Sequence, residues 1–159
     1  MQANIVYLGL GSNIYSRSIY IYQALNLIEK NIGHIISRSS ICQTEPWKMP
    51  ENTGFFYNLC VSVNTSLSAN EVLNNILSIE KYLGRIRTNK NTYESRCIDI
   101  DILFFNDEII QTEQLKIPHP LIQERLFVLE PLCEIAENLV HPVFNKTIKE
   151  LKDEKIYMY

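Results

Sequence analysis

"RCIDIDILFF" (residues 96–105) is the stretch on which the fold reading turns. Isoleucine alternates with other residues and two aromatics close the run. That period of two is a β-strand pattern. It puts Asp99 and Asp101 on one face and Ile98, Ile100, Ile102 and Phe104 on the other. Working upstream, the segment before it reads as a helix. Ala69, Val72, Leu73, Ile76 and Leu83 form an apolar stripe, Ser68 and Glu71 have capping-box spacing, and Gly84 suits a C-terminal cap. "FFYNLCVSVNT" (55–65) alternates as a strand, with Tyr57, Leu59, Val61 and Val63 on one face and Phe56, Asn58, Cys60 and Ser62 on the other. "HIISRSSICQT" (34–44) reads as a single strand. Ile21, Ala24, Leu25 and Ile28 predict an amphipathic helix over 17–31, and "NIVYLGL" (4–10) a buried strand ended by a turn at Gly11, Ser12 and Asn13. Residues 121–135 and 146–153 read as shorter helices.

The order is therefore β-α-β-β-α-β. It predicts an α+β, ferredoxin-like sandwich with a mainly antiparallel central sheet flanked by helices, not a doubly wound parallel sheet. No GxGxxG or GxxxxGK[ST] follows the first strand, which disfavours dinucleotide-binding and P-loop folds.

Composition narrows the function classes. The chain has 159 residues, 46% hydrophobic and 21% charged, with a formal net charge of -3. That size and balance predict one globular domain over 1–159 with a sizeable core. The net charge argues against a broad nucleic-acid footprint. No apolar run approaches the ~20 residues that span a bilayer, and the start lacks a signal-peptide pattern. Cys42, Cys60, Cys97 and Cys133 are far apart and form no CxxC pair, which predicts reduced thiols in a cytoplasmic setting.

Several residues have chemistry to offer, each with two readings open on the residues alone. Asp99 and Asp101, roughly 6.5 Å apart along a strand, suit a hard cation such as Mg²⁺ or sit on a solvated edge face. Arg85, Arg87 and Arg96, with Lys90 between, bind phosphate bidentately or make surface ion pairs. Glu80 falls within an apolar stripe and either finds a buried partner or reaches water. Phe56 and Asn58 stack on and read a flat heterocycle, or belong to the core. His119 in "IPHP", with Arg125 and Phe127 in "ERLFVL", divides in the same way. Gly11 lets the backbone approach a ligand closely. Ser12 has no histidine near it in sequence and is not read as a nucleophile.

Taken together, "LGLGSN", "TEPW", "FFYN", "IEKYLGRIR", "RCIDIDILFF", "IPHP" and "RLFVLEPLCEIAENLVHP" resemble, in order and over residues 4–145, the 6-hydroxymethyl-7,8-dihydropterin pyrophosphokinases of folate biosynthesis. The resemblance implies transfer of pyrophosphate from ATP to the hydroxymethyl group of the dihydropterin, with release of AMP. It implies Asp99 and Asp101 as ligands of two Mg²⁺ ions on ATP, and Arg85 and Arg96 as catalytic cations at the phosphates. It adds Glu80, Arg87, Tyr93, His119 and Arg125 to the ATP side, and Thr44, Trp47, Phe56, Asn58 and Phe127 to the pterin side. Tyr93 belongs, on this resemblance, to a loop that closes over both substrates. The chain departs from the pattern at Glu94, where the family usually has a small residue, and at Leu121 after "IPHP". The implied protein is a monofunctional monomer with small-molecule substrates and neither nucleic acid nor membrane as partner. The residues without the resemblance leave a γ-phosphate kinase and a non-catalytic binding domain open.

Overall fold

The computed structural model describes residues 3–50, 53–86 and 95–158. Arg87, Lys90, Tyr93 and Glu94, singled out in the sequence, lie outside them. In chain order the main elements are β1 (Asn4–Ser12), α1 (Arg17–Asn31), β2 (His34–Arg38), β3 (Cys42–Thr44), β4 (Phe56–Thr65), α2 (Ala69–Tyr82) and β5 (Asp99–Phe105). The main sheet runs β2-β4-β1-β5, with β3 also on β4 and every pairing antiparallel. With β2 and β3 taken as one interrupted edge, this is the ferredoxin-like order that the β-α-β-β-α-β pattern predicts. β6 (Ile110–Gln111) and β7 (Lys116–Ile117) form a small hairpin. They are followed by α3 (Leu126–Ala136), a second hairpin of β8 (Val140–His141) and β9 (Lys146–Thr147), and α4 (Ile148–Tyr157). No helix among the described residues is long and apolar enough to cross a membrane.

Each sheet face has its own core. Val6, Leu8 and Leu10 of β1 and Leu59, Val61 and Val63 of β4 pack with Ile21, Ala24 and Ile28 of α1 and Val72 and Ile76 of α2. On the other face Cys60, Leu103 and Phe104 pack with Val128, Leu129 and Leu132 of α3 and Ile148 and Leu151 of α4. The alternation of β1 and β4 sorts their side chains between these layers. The predicted capping box of α2 is present: Ser68 accepts from the Glu71 N–H and Glu71 accepts from the Ser68 N–H at 2.8 Å. Such a cap contributes about 1 kcal/mol. Cys42, Cys60, Cys97 and Cys133 are all free thiols.

Four local readings are corrected. The strand over 34–44 is two strands, because Ser39 leaves the ladder: its N–H bonds to the Cys60 carbonyl and its hydroxyl accepts from the Cys60 N–H. Gly11 and Ser12 belong to β1, so the predicted turn begins later. The β1–β5 register shifts between Tyr7 and Leu8, which leaves Leu103 without an opposite residue. A bulge moves all later side chains to the other face, so Phe104 packs under α3 and not with Ile100 and Ile102. The helix over 121–135 is a 3₁₀ turn at Ile122–Glu124 and then α3, separated by Arg125 in an extended conformation (φ -118, ψ 96).

His141 provides a pH test of the second core. It is 3% exposed, between Phe104 and Phe144, and its Nδ1 accepts from the Val143 and Phe144 N–H groups at 3.2 and 3.4 Å. Burial pushes its pKa below the ordinary value. The unfolded chain therefore takes up this proton first, at about pH 6.5, and the stability held by neutral His141 is lost as pH falls below that point toward the folded value. His141→Asn keeps an acceptor near Nδ1 but does not titrate. Urea denaturation from pH 7 to 5 is expected to show a shallower loss for the variant than for wild type; parallel curves would remove His141 from the acid limb.

Candidate active site

β1 lies between β4 and β5, and its register lines up two rows across the sheet. Asn58, Gly11 and Asp99 form one row; Cys60, Gly9 and Asp101 form the next. All six share the face opposite the α1–α2 core. Toward one end of this face, α3 and α4 cover Tyr7, Cys60, Leu103 and Phe104. Beyond them the face opens into a cleft of about 460 Å³. The glycines leave its floor bare. A Cβ on Gly11 would lie 2.8 Å from Asn58 Oδ1, inside van der Waals contact. With strands about 4.8 Å apart, the floor separates the Asn58 and Asp99 backbones by roughly 10 Å.

Eleven of the sequence-predicted site residues line this cleft: Thr44, Trp47, Phe56, Asn58, Arg85, Arg96, Asp99, Asp101, His119, Arg125 and Phe127. They divide by chemistry across the glycine floor. On the β4 side, Asn58 Nδ2 donates to Thr44 Oγ1 at 2.6 Å, which directs Oδ1 over Gly11. Trp47 meets Phe127 at 6.1 Å between ring centroids, and the Arg125 guanidinium packs on both rings, 4.8 Å from Trp47 and 5.6 Å from Phe127. The extended backbone at Arg125 turns this side chain into the cleft. Its Nε is buried without a partner among the described residues.

The β5 side is ionic. Asp99 takes one guanidinium on each oxygen: Arg85 on Oδ1, and Arg96 on Oδ2 at 2.8 Å. Asp101 Oδ2 is 3.7 Å from Arg125 and 3.9 Å from His119 Nε2. Burial, and the Asp99 charge beside it, push the Asp101 carboxyl well above the ordinary carboxylate range despite Arg125. His119 is pushed down to about 4 by burial and by Arg125, so its ring is neutral near pH 7. Its Nδ1 accepts from the Leu121 N–H at 3.1 Å, which leaves Nε2 to carry the proton into the cleft. Desolvation works against the Arg85 charge, but Asp99 and Glu80 outweigh it and raise its pKa.

Glu80 is the exception among the predicted ligand contacts. It is 2% exposed, does not line the cleft, and lies behind Arg85 at 2.5 Å. Removing either member of so buried a pair costs about 3–5 kcal/mol, because the other charge is left uncompensated. Arg87 and Tyr93 lie outside the described residues. Gly9 is the floor residue that the sequence reading passed over; its signal was the parity it shares with Gly11 on a strand.

The acidic pair fits a hard divalent cation. Among the described residues no three His, Cys, Asp or Glu side chains converge as a metal cage. Two carboxylates on one strand face, with the Asp101 charge held at a disadvantage by Asp99, match Mg²⁺, which takes one or two carboxylates and completes its shell with water and substrate phosphates.

The sequence has clear relatives. Residues 7–137 match the family model for 7,8-dihydro-6-hydroxymethylpterin-pyrophosphokinase. The 2-amino-4-hydroxy-6-hydroxymethyldihydropteridine pyrophosphokinase of Aquifex aeolicus is 42% identical over 149 residues, covering 94% of this chain and 91% of its own. The enzyme of the same name from Bacillus subtilis is 43% identical over 137 residues, covering 86% and 80%. Among solved structures, the Plasmodium falciparum HPPK-DHPS crystallised with pteroate superposes with a TM-score of 0.81 at 22% identity, a likeness of fold. It covers 98% of this chain, which spans 45% of that longer one. With the family matched over most of its length and relatives of that name at about this identity, the chain is an enzyme and belongs to the 7,8-dihydro-6-hydroxymethylpterin-pyrophosphokinase family.

Proposed function

We propose that the cleft binds ATP with two Mg²⁺ ions on its β5 side and 6-hydroxymethyl-7,8-dihydropterin on its β4 side, and that it transfers the β,γ-pyrophosphoryl group between them. The observation that carries this reading is the pair of rows across β4, β1 and β5. They set the Asn58 amide two strand spacings from a carboxylate pair, over a floor with no side chains, and the aromatic rings of Phe56, Trp47 and Phe127 line the same cleft.

Phe56 and Phe127 hold the flat pterin, and Asn58 Oδ1 accepts from its edge. The hydroxymethyl oxygen then faces β5 across Gly9 and Gly11. That oxygen bonds to the β-phosphorus, the bond from this phosphorus to the α,β-bridging oxygen breaks, the AMP oxygen keeps the electron pair, and the hydroxyl proton leaves to solvent. Arg85 and Arg96 turn from Asp99 toward the phosphates and balance charge on the transferred group. The His119 Nε2–H and the Arg125 Nε–H donate to phosphate oxygens. Asp99 and Asp101 hold the cations, which when bound neutralise phosphate charge and acidify the attacking hydroxyl. A cytoplasmic monomer suits the four free thiols and the small-molecule substrates.

Incubation with ATP, Mg²⁺ and 6-hydroxymethyl-7,8-dihydropterin is expected to release AMP with the pterin diphosphate. ADP would identify a γ-phosphate kinase, and no nucleotide product a binding domain. Asp99→Ala is expected to fold, by circular dichroism, and to lose on the order of 10²-fold or more in kcat; near-normal turnover would remove the carboxylate pair from the metal site.

The two halves of the cleft should also separate in titrations. Phe56→Ala and Gly11→Ala are each expected to weaken pterin binding about tenfold, or about 1.4 kcal/mol, the second by displacing Asn58. Binding of a non-hydrolysable ATP analogue, followed by calorimetry, should change little. Equal losses for both ligands would contradict the division.

A further inference from the structure

Glu80 is placed where a carboxylate is costly in two ways. It is 2% exposed, and it sits in the last turn of α2, where the helix dipole disfavours a negative charge. Among the described residues, two contacts help offset that cost. Oε1 accepts from Arg85 Nη1 at 2.5 Å and from the Ile100 N–H at 2.9 Å. The second contact is unusual in kind. β5 ends the main sheet, so the Ile100 N–H faces away from β1 toward an open edge. A side chain of α2 takes the place of the missing strand, at the residue between Asp99 and Asp101.

The first contact is built by the helix end. Gly84 has φ +93, its N–H bonds to the Lys81 carbonyl, and the Arg85 N–H bonds to the Glu80 carbonyl at 3.0 Å. This is the paired 5→2 and 6→1 bonding of a Schellman motif. Such a turn stacks the third residue from the helix end on the second residue past it, and the contact there is usually apolar. Here those residues are Glu80 and Arg85, and the contact is an ion pair. The same Arg85 Nη1 also bonds to Asp99.

We infer that Glu80 is a positioning residue: it pins β5 between the two aspartates and aims Arg85 at the phosphates, without touching the nucleotide itself. When the phosphates and their cations draw Arg85 off Asp99, Glu80 keeps the guanidinium oriented and its charge matched. This rests on the proposed role of Arg85 at the transferred group.

A mutant cycle on kcat tests it. Glu80→Gln can still accept the Ile100 N–H but lacks the charge that holds Arg85. It is expected to lower kcat about tenfold, while the dissociation constant for a non-hydrolysable ATP analogue with Mg²⁺ stays within about threefold. In an Arg85→Ala background the same change is expected to alter kcat less than about twofold. The Ile100 amide should exchange slowly with deuterium in wild type and lose its protection in Glu80→Leu. Should Glu80→Gln not fold, Glu80→Asp, one methylene too short for both contacts, takes its place in the cycle. Equal losses in both backgrounds would overturn the inference. So would weaker nucleotide binding at unchanged kcat, or a lower melting temperature with unchanged kcat per folded molecule. If Arg85→Ala alone keeps the wild-type kcat, the role of Arg85 fails first, and the cycle identifies that failure separately.

Discussion

β1 hydrogen-bonds to β4 on one side and to β5 on the other, and this double register is the constraint on which the site depends. Because side chains alternate, one face of β1 is committed to the α1–α2 core through Val6, Leu8 and Leu10. The opposite face then presents Tyr7, Gly9 and Gly11 in fixed order. Tyr7 is taken up under α3, and the two glycines are left as floor. A slip of one residue would put leucines into the cleft and glycines into the core. The packing that stabilises the sheet is thus also what aligns Asn58 with Asp99 across Gly11, and a site on strands is held more rigidly than one on loops.

Most of the framework was legible in the sequence, because it rests on local signals. The stripe and capping box of α2 and the parity of β4 and of the aspartate pair are written in neighbouring residues. The features that were missed depend on contacts distant in sequence. "ILFF" is apolar whichever way Leu103 points, so only its pairing with β1 reveals the bulge that sends Phe104 to the second core. "SRSSIC" looks like continuous strand until Ser39 bonds to Cys60. The apolar pattern over 121–135 is helical throughout, but Arg125 is drawn between Trp47 and the Asp101 carboxylate, and its backbone leaves the helical region to reach them.

The site residues show the same division. Chemistry and parity together put Asp99 with Asp101 on one face of their strand and Phe56 with Asn58 on one face of theirs; the pairing of both strands with β1 makes these the same face of the sheet. Sequence could say that Glu80 needed a partner, but not that one oxygen would serve Arg85, five residues on, and Ile100, twenty residues on. Nor could it show that Gly9 and Gly11 would separate the two halves of the cleft, since a glycine's role there is defined by what lies on the adjacent strands.

The electrostatics of the cleft give this arrangement a direction. Glu80, Asp99 and Asp101 face the guanidinium groups of Arg85, Arg96 and Arg125, with His119 neutral. The pairing is uneven. Asp99 has an arginine on each oxygen, whereas Asp101 has among the described residues only one guanidinium, at 3.7 Å, and its charge is disfavoured by burial and by Asp99. On the proposed function, a cation at the pair would relieve that repulsion at Asp101 and compete with the arginines for Asp99. Guanidinium groups released in this way would already lie within the cleft, and Arg85 would still be held from behind by Glu80. Negative phosphate entering with the cation would then meet donors that the fold already holds beside it, and the arginines would need only to turn from Asp99 to reach it.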